Sequence, residues 1–145
     1  EIQSDCKQLH GLMNEILKVC PDIHCARDAT IGGIATVLNE IAEDSGVLIK
    51  IFESKIPVRK EVHGVTEILG IDPLYMANEG TLVAVVPNEK SQKVLNTMRN
   101  HPCGKNSQLI GEVEETLKSR LILQTSFGTE RILDIPFGDQ LPRIC

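Results

Sequence analysis

The fold class follows from one stretch, Gly70-Ile71-Asp72-Pro73-Leu74-Tyr75-Met76-Ala77-Asn78-Glu79-Gly80-Thr81-Leu82-Val83-Ala84-Val85-Val86. Residues 81–86 form a nearly continuous apolar run bounded by Gly80 and Pro87. That is the pattern of a strand covered on both faces, so it is expected at the centre of a sheet. The polar residues before it make a loop poised at the start of that strand, where function tends to gather. On its N-terminal side, 60–69 carries Val62, Val65 and Leu69 at helical spacing, with Gly70 as the stop. On its C-terminal side, Val94, Leu95 and Met98 place a helix over 88–100, and Pro102 and Gly104 break the pattern.

Two more helices precede this region. Cys6, Leu9, Met13, Ile16, Leu17 and Cys20 make one apolar stripe before Pro21, and Ile31, Ile34, Ala35, Leu38, Ile41 and Ala42 make another that ends near Gly46. Residues 47–53 are rich in β-branched side chains and read as a strand. Strands are expected at 107–114, 120–125 and 130–135, the last two forming a hairpin across Ser126-Phe127-Gly128-Thr129. The result is an α+β chain with a mixed β-sheet and about four helices. Residues 1–135 read as one domain. Residues 136–145, with two prolines, one glycine and no periodicity, read as a flexible C-terminal tail.

Composition supports one folded core. The chain has 145 residues, 41% hydrophobic and 24% charged, far from the composition of disordered segments. With only 3% aromatic residues, the core must be aliphatic, and base-stacking platforms are not expected. A net charge of −5 opposes nucleic acid and anionic membranes as partners. No apolar run approaches the roughly 20 residues of a membrane span, and no signal peptide opens the chain. A cytoplasmic location is expected.

Three segments carry chemistry. Arg27, Asp28, Thr30, Gly32 and Gly33 lead directly into the second helix. Adjacent glycines allow close backbone approach, and a helix start favours an anion such as a nucleotide phosphate. The same residues also suit a capped helix whose glycines serve only tight packing. Glu79 is a carboxylate that a partly dry pocket could make a general base, or else a solvated turn residue beside Asn78. The five cysteines, at 6, 20, 25, 103 and 145, form no CxxC pair. His24-Cys25 and His101-Pro102-Cys103 have atypical spacing for zinc, and reduced thiols are expected. Cys145, last on the tail, is the most accessible thiol, either a carrier of a covalent group or simply a chain end.

Taken together, Arg27-Asp28-Ala29-Thr30-Ile31-Gly32-Gly33, Asp72 through Gly80 and Pro142-Arg143-Ile144-Cys145 resemble the C-terminal domain of the HypE family of hydrogenase-maturation proteins. That family sits in the PurM-like superfamily of aminoimidazole ribonucleotide synthetase. The resemblance covers essentially the whole chain. It implies an α/β/α layered fold and an ATP-dependent dehydration of an S-carbamoyl group to a thiocyanate, which supplies cyanide for the [NiFe]-hydrogenase iron centre. It implies Cys145 as the carrier thiol, Glu79 as the base, and the segment from Asp28 to Gly33 near the nucleotide phosphates. ATP and Mg²⁺ would be bound mainly by an N-terminal ATP-binding domain that is absent from this chain. The isolated domain is therefore expected to be inactive.

The implied partners are the carbamoyltransferase HypF and the HypC–HypD complex, with a homodimer in the full-length protein. A non-catalytic docking module and another PurM-like synthetase are the alternatives, the latter having no need of a terminal cysteine. The family pattern usually reads Met-Arg-Asp-Pro-Thr-Arg-Gly-Gly; here Ala26, Ala29 and Ile31 replace the Met, the Pro and the second Arg.

Overall fold

The structure is a computed structural model that describes residues 4–135. Four α-helices are present: α1 (His10–Val19), α2 (Gly33–Ser45), α3 (Lys60–Leu69) and α4 (Ser91–Asn100). Six strands accompany them: β1 (Cys25–Ala29), β2 (Val47–Phe52), β3 (Asn78–Val85), β4 (Gly111–Glu115), β5 (Arg120–Gln124) and β6 (Glu130–Ile132). They form an antiparallel β1–β3 ribbon and a mixed four-stranded sheet of order β4-β2-β5-β6. In the larger sheet β2 and β5 run parallel, and β5–β6 is the expected antiparallel hairpin.

The central element is α2 rather than the strand at 81–86. Seven successive or near-successive α2 residues, Ala35 to Asn39 with Ile41 and Ala42, are buried, so nearly its whole circumference faces protein. On one side it meets Val83, with Cys25 and Val85 packed nearby; on the other it meets Ile49, Ile51, Leu121 and Leu123. The opposite face of the ribbon contributes Leu82 and Val86 to a second core with Leu12, Ile16, Cys20 and Val94 from the α1–α4 pair. The ribbon therefore lies between helical layers, the expected α/β/α arrangement, and the four-stranded sheet covers the far side of α2.

Several sequence expectations are corrected. Residues 81–86 are covered on both faces, as the apolar run implied, but β3 pairs only with β1 among the described residues. Burial of both faces and pairing of both edges are independent properties, and the sequence pattern reports only the first. β1 has no β-branched residue and reads as a polar connection; its extended form comes from its register with β3, Cys25 opposite Val85 through Asp28 opposite Leu82. α1 begins at His10, leaving Cys6 exposed instead of on the buried stripe. In α3, Thr66 is buried, whereas Val65, Ile68 and Leu69 face solvent, because α3 packs mainly on the 3₁₀ turn Pro73–Tyr75. Among the described residues, no helix is long and apolar enough to cross a membrane.

One buried polar group ties α2 to the residue that follows β6. The Asn39 carboxamide donates to the carbonyls of Ala35 (2.9 Å) and Leu133 (2.8 Å), and Leu133 is itself buried. Asn39→Ala would leave a buried carbonyl without this donor, a change worth about 1–3 kcal/mol. The expected outcome is a lower urea midpoint with an unchanged slope.

Candidate functional site

The second helix starts at two glycines that the backbone requires. Gly32 (φ 67°, ψ 12°) is the N-cap and Gly33 has φ 69°, both in the left-handed region open mainly to glycine. No side chain caps this helix start. A Cβ on Gly33 would lie 2.5 Å from the Leu74 carbonyl oxygen and 2.7 Å from that of Met76. Gly33 thus presses the start of α2 onto the turn at 73–75, which is the tight-packing role. The helix end remains a place where amide donors and the helix dipole favour negative charge.

That turn is fixed from the other side too. Asp72 accepts the Leu74 amide through Oδ1 (3.0 Å) and the Arg131 guanidinium through Oδ2 (2.8 Å). Tyr75 donates its hydroxyl to the Asp134 carbonyl at 2.8 Å. Burial, and then the Asp72 charge, push the Tyr75 phenol up, so it stays protonated and able to donate.

Beyond the turn, the ribbon is interrupted. Asp28 is opposite Leu82, but Ala29 is opposite Asn78, so residues 79–81 are displaced from the ladder. Such bulges re-aim side chains and are common beside active sites. The Asn78 side chain holds the bulge, its Oδ1 accepting the Gly80 amide (3.0 Å) and the Thr81 hydroxyl (2.8 Å). The Glu79 amide donates to Asp5 Oδ2 at 3.0 Å. A Cβ on Gly80 would sit 1.9 Å from the Asp5 carbonyl oxygen, so only glycine lets this lead-in segment cross. At the head of the bulge, the Glu79 carboxylate accepts the Thr30 hydroxyl at 3.2 Å.

The structure therefore joins two motifs 49 residues apart: Thr30, two residues before Gly32 of the Gly32–Gly33 turn, touches Glu79. Glu79 belongs to β3, not to a loop ahead of it. The remaining predicted residues are less convergent. Arg27 lies on β1 and pairs with Glu40 of α2 at 2.5 Å, and Asp28 is exposed on the same strand. Ile31, where the resembling family commonly has Arg, is 67% exposed and supplies no charge. Cys145 and the tail at 136–145 lie outside the described residues. Asp5 was not legible as part of this site, because the partner that gives it meaning is 74 residues away; Gly80 within a strand was its only trace.

Cys20 and Cys25 sit within the fold, whereas Cys6 is exposed. Cys20 is fully buried, and burial together with the Asp22 carboxylate that its thiol faces raises it above the ordinary range. Burial also raises Cys25. His101 uses Nδ1 to accept the Cys103 amide, and no group of three or more possible metal ligands forms among the described residues. Gly33→Ala should be among the most disruptive single changes near the site. The left-handed backbone alone costs a side chain about 1–2 kcal/mol, and the contact with Leu74 and Met76 adds to it. The expected readout is a lower thermal midpoint, with a larger drop than for Gly46→Ala, whose Cβ would meet nothing within 4 Å.

Comparison with known proteins identifies relatives of the chain. Residues 1–124 match the family described as AIR synthase related protein, C-terminal domain. The chain is 45% identical over all 145 residues to the carbamoyl dehydratase HypE of Azotobacter vinelandii, covering 42% of that protein. It superposes on a crystal structure of the hydrogenase maturation protein HypE in complex with ATP with a TM-score of 0.93 and 36% identity, over 100% of this chain and 44% of that one. Against a crystal structure of a HypE–HypF complex the TM-score is 0.88 with 42% identity, over 93% of this chain and 44% of that one. The chain thus spans less than half the length of the relatives it matches.

Proposed function

Because the chain belongs to the AIR synthase related proteins, matching their C-terminal domain over residues 1–124, we propose that it is the carrier and half-site domain of an ATP-dependent carbamoyl dehydratase. In this reading it works in the maturation of [NiFe]-hydrogenase, within a longer homodimeric protein. The observation that carries the reading is the Thr30–Glu79 hydrogen bond, which sets a carboxylate beside a glycine-lined helix start. The whole-chain similarity to a carbamoyl dehydratase supports it.

The overall conversion is simple to balance. S-carbamoyl-Cys145, R–S–C(=O)–NH₂, gives R–S–C≡N when the carbonyl oxygen and both nitrogen protons leave. ATP, when bound, supplies the phosphoryl group that turns that oxygen into a leaving group, so the oxygen departs in phosphate alongside ADP. This chain's residues serve the other half of the balance. Residues 136–145 deliver Cys145. The Glu79 carboxylate takes one nitrogen proton, a task that needs hydrogen-bond reach and a base held in place, and the other leaves on the departing hydrogen phosphate. The helix start framed by Asp28, Thr30, Gly32 and Gly33 faces developing negative charge with backbone amides.

Arg27 is already paired with Glu40, and Ile31 is neutral. These residues fit a phosphate only at its edge, so most ATP and Mg²⁺ contacts belong to the preceding part of such proteins. HypF would load the thiol with its carbamoyl group, and HypC–HypD would receive the cyanide.

The test follows the mass of the C-terminal peptide of the full-length protein, incubated with HypF, carbamoyl phosphate and ATP. The thiol should gain about 43 Da on carbamoylation and then settle about 25 Da above its free form as thiocyanate, as covalent carriage by the Cys145 nucleophile requires. Cys145→Ala should remain unmodified; modification to the wild-type extent would end the carrier assignment. Glu79→Gln should be carbamoylated normally but dehydrated about 10²-fold more slowly, the scale of general-base contributions. Carbamoylation without any dehydration in the wild type would favour a docking module instead.

A further inference from the structure

We propose that Thr30 is a positioning residue that aims the Glu79 carboxylate, and not a ligand of the nucleotide phosphates. The inference rests on Glu79 being the base. A helix start preceded by Thr suggests phosphate contact on sequence grounds, because hydroxyls and amides often share that task. The structure points the hydroxyl elsewhere: Thr30 Oγ1 donates to Glu79 Oε2 at 3.2 Å in a partly buried setting.

The backbones at both ends of this contact are fixed independently of it. Thr30 follows Ala29, which is buried and paired with Asn78, and precedes the left-handed Gly32–Gly33 turn pressed on Leu74 and Met76. Glu79 sits in a bulge that Asn78 holds through two hydrogen bonds and that Asp5 holds at the Glu79 amide. With both main chains set, the Thr30 hydroxyl is a contact that bears directly on where the Glu79 carboxylate lies. A base that removes an amide proton depends on such placement, since misplacement by about 1 Å can cost 10²-fold in rate.

The experiment uses the full-length protein carrying this domain, carbamoylated by HypF, and measures thiocyanate formation at varied ATP. Thr30→Val keeps the side-chain shape and removes the donor. It should slow formation at saturating ATP by about tenfold to hundredfold, leaving the half-saturating ATP concentration and the carbamoylation step unchanged. Thr30→Ser, which keeps the hydroxyl, should restore most of the rate. In a Glu79→Gln background, Thr30→Val should cause no further loss, because a positioning residue has nothing left to position.

A raised half-saturating ATP concentration with an intact saturating rate would make Thr30 a phosphate contact and overturn the inference. So would a double variant slower by the product of the two single effects. If Glu79→Gln alone leaves the rate intact, the base assignment fails and the positioning role with it. A slow Glu79→Gln beside an unaffected Thr30→Val removes the positioning role alone.

Discussion

The close approach of Gly33 to the Leu74–Met76 backbone is the constraint on which the site hangs. A helix start and a 3₁₀ turn can meet main chain to main chain only where one side lacks a Cβ, and the modest space left there is incompatible with any other residue. The contact sets the distance between α2 and the segment that becomes β3. Since the turn is also held by Asp72–Arg131 and Tyr75–Asp134, it joins α2, the chain at and just after β6, and the entry to β3. The bulge that follows inherits that fixed origin, which allows Thr30 and Glu79 to meet although neither is near the other in sequence.

Much of the fold was legible, and the misses share a cause. The four helices, the mixed sheet and the β5–β6 hairpin all announce themselves through local periodicity and turn residues. β1 does not, because Cys25-Ala26-Arg27-Asp28-Ala29 has no intrinsic strand preference and takes its form from β3 alone. The apolar run at 81–86 correctly reports two covered faces, but the covers are helices, α1 and α4 on one side and α2 on the other. Edge pairing is a property of the neighbours, which a single strand's sequence does not encode. The solvent-facing Val65, Ile68 and Leu69 of α3 make the converse point: helical spacing identifies a stripe but not what lies against it.

The site divides in the same way. Glu79, Thr30, Gly32 and Gly33 stand out as residue types, each with a chemical and a structural reading. Geometry assigns Gly33 firmly to packing through its Cβ clash, and it gives Thr30 a specific acceptor. Asn78 acts as more than a residue that tolerates a turn, since its side chain closes the bulge. Asp5 and Arg131 act through partners far along the chain, and nothing near them in sequence marks them.

Charge explains why this domain would be half a site in the proposed reaction. It brings a carboxylate and the partial positive end of a helix, worth about half an elementary charge, to a place that must accept several phosphate charges. Arg27, on the strand that leads to the helix start, is paired with Glu40, and Ile31 adds no charge. With the negative Glu79 alongside, the helix start alone cannot balance a triphosphate. In that reaction most of the cationic charge would come from outside residues 4–135, in keeping with a chain that covers 42% of a dehydratase relative. Such a division has a chemical advantage. In the proposed reaction, cations placed on the opposing half would draw the phosphate away from Glu79 as the carbon–oxygen bond breaks.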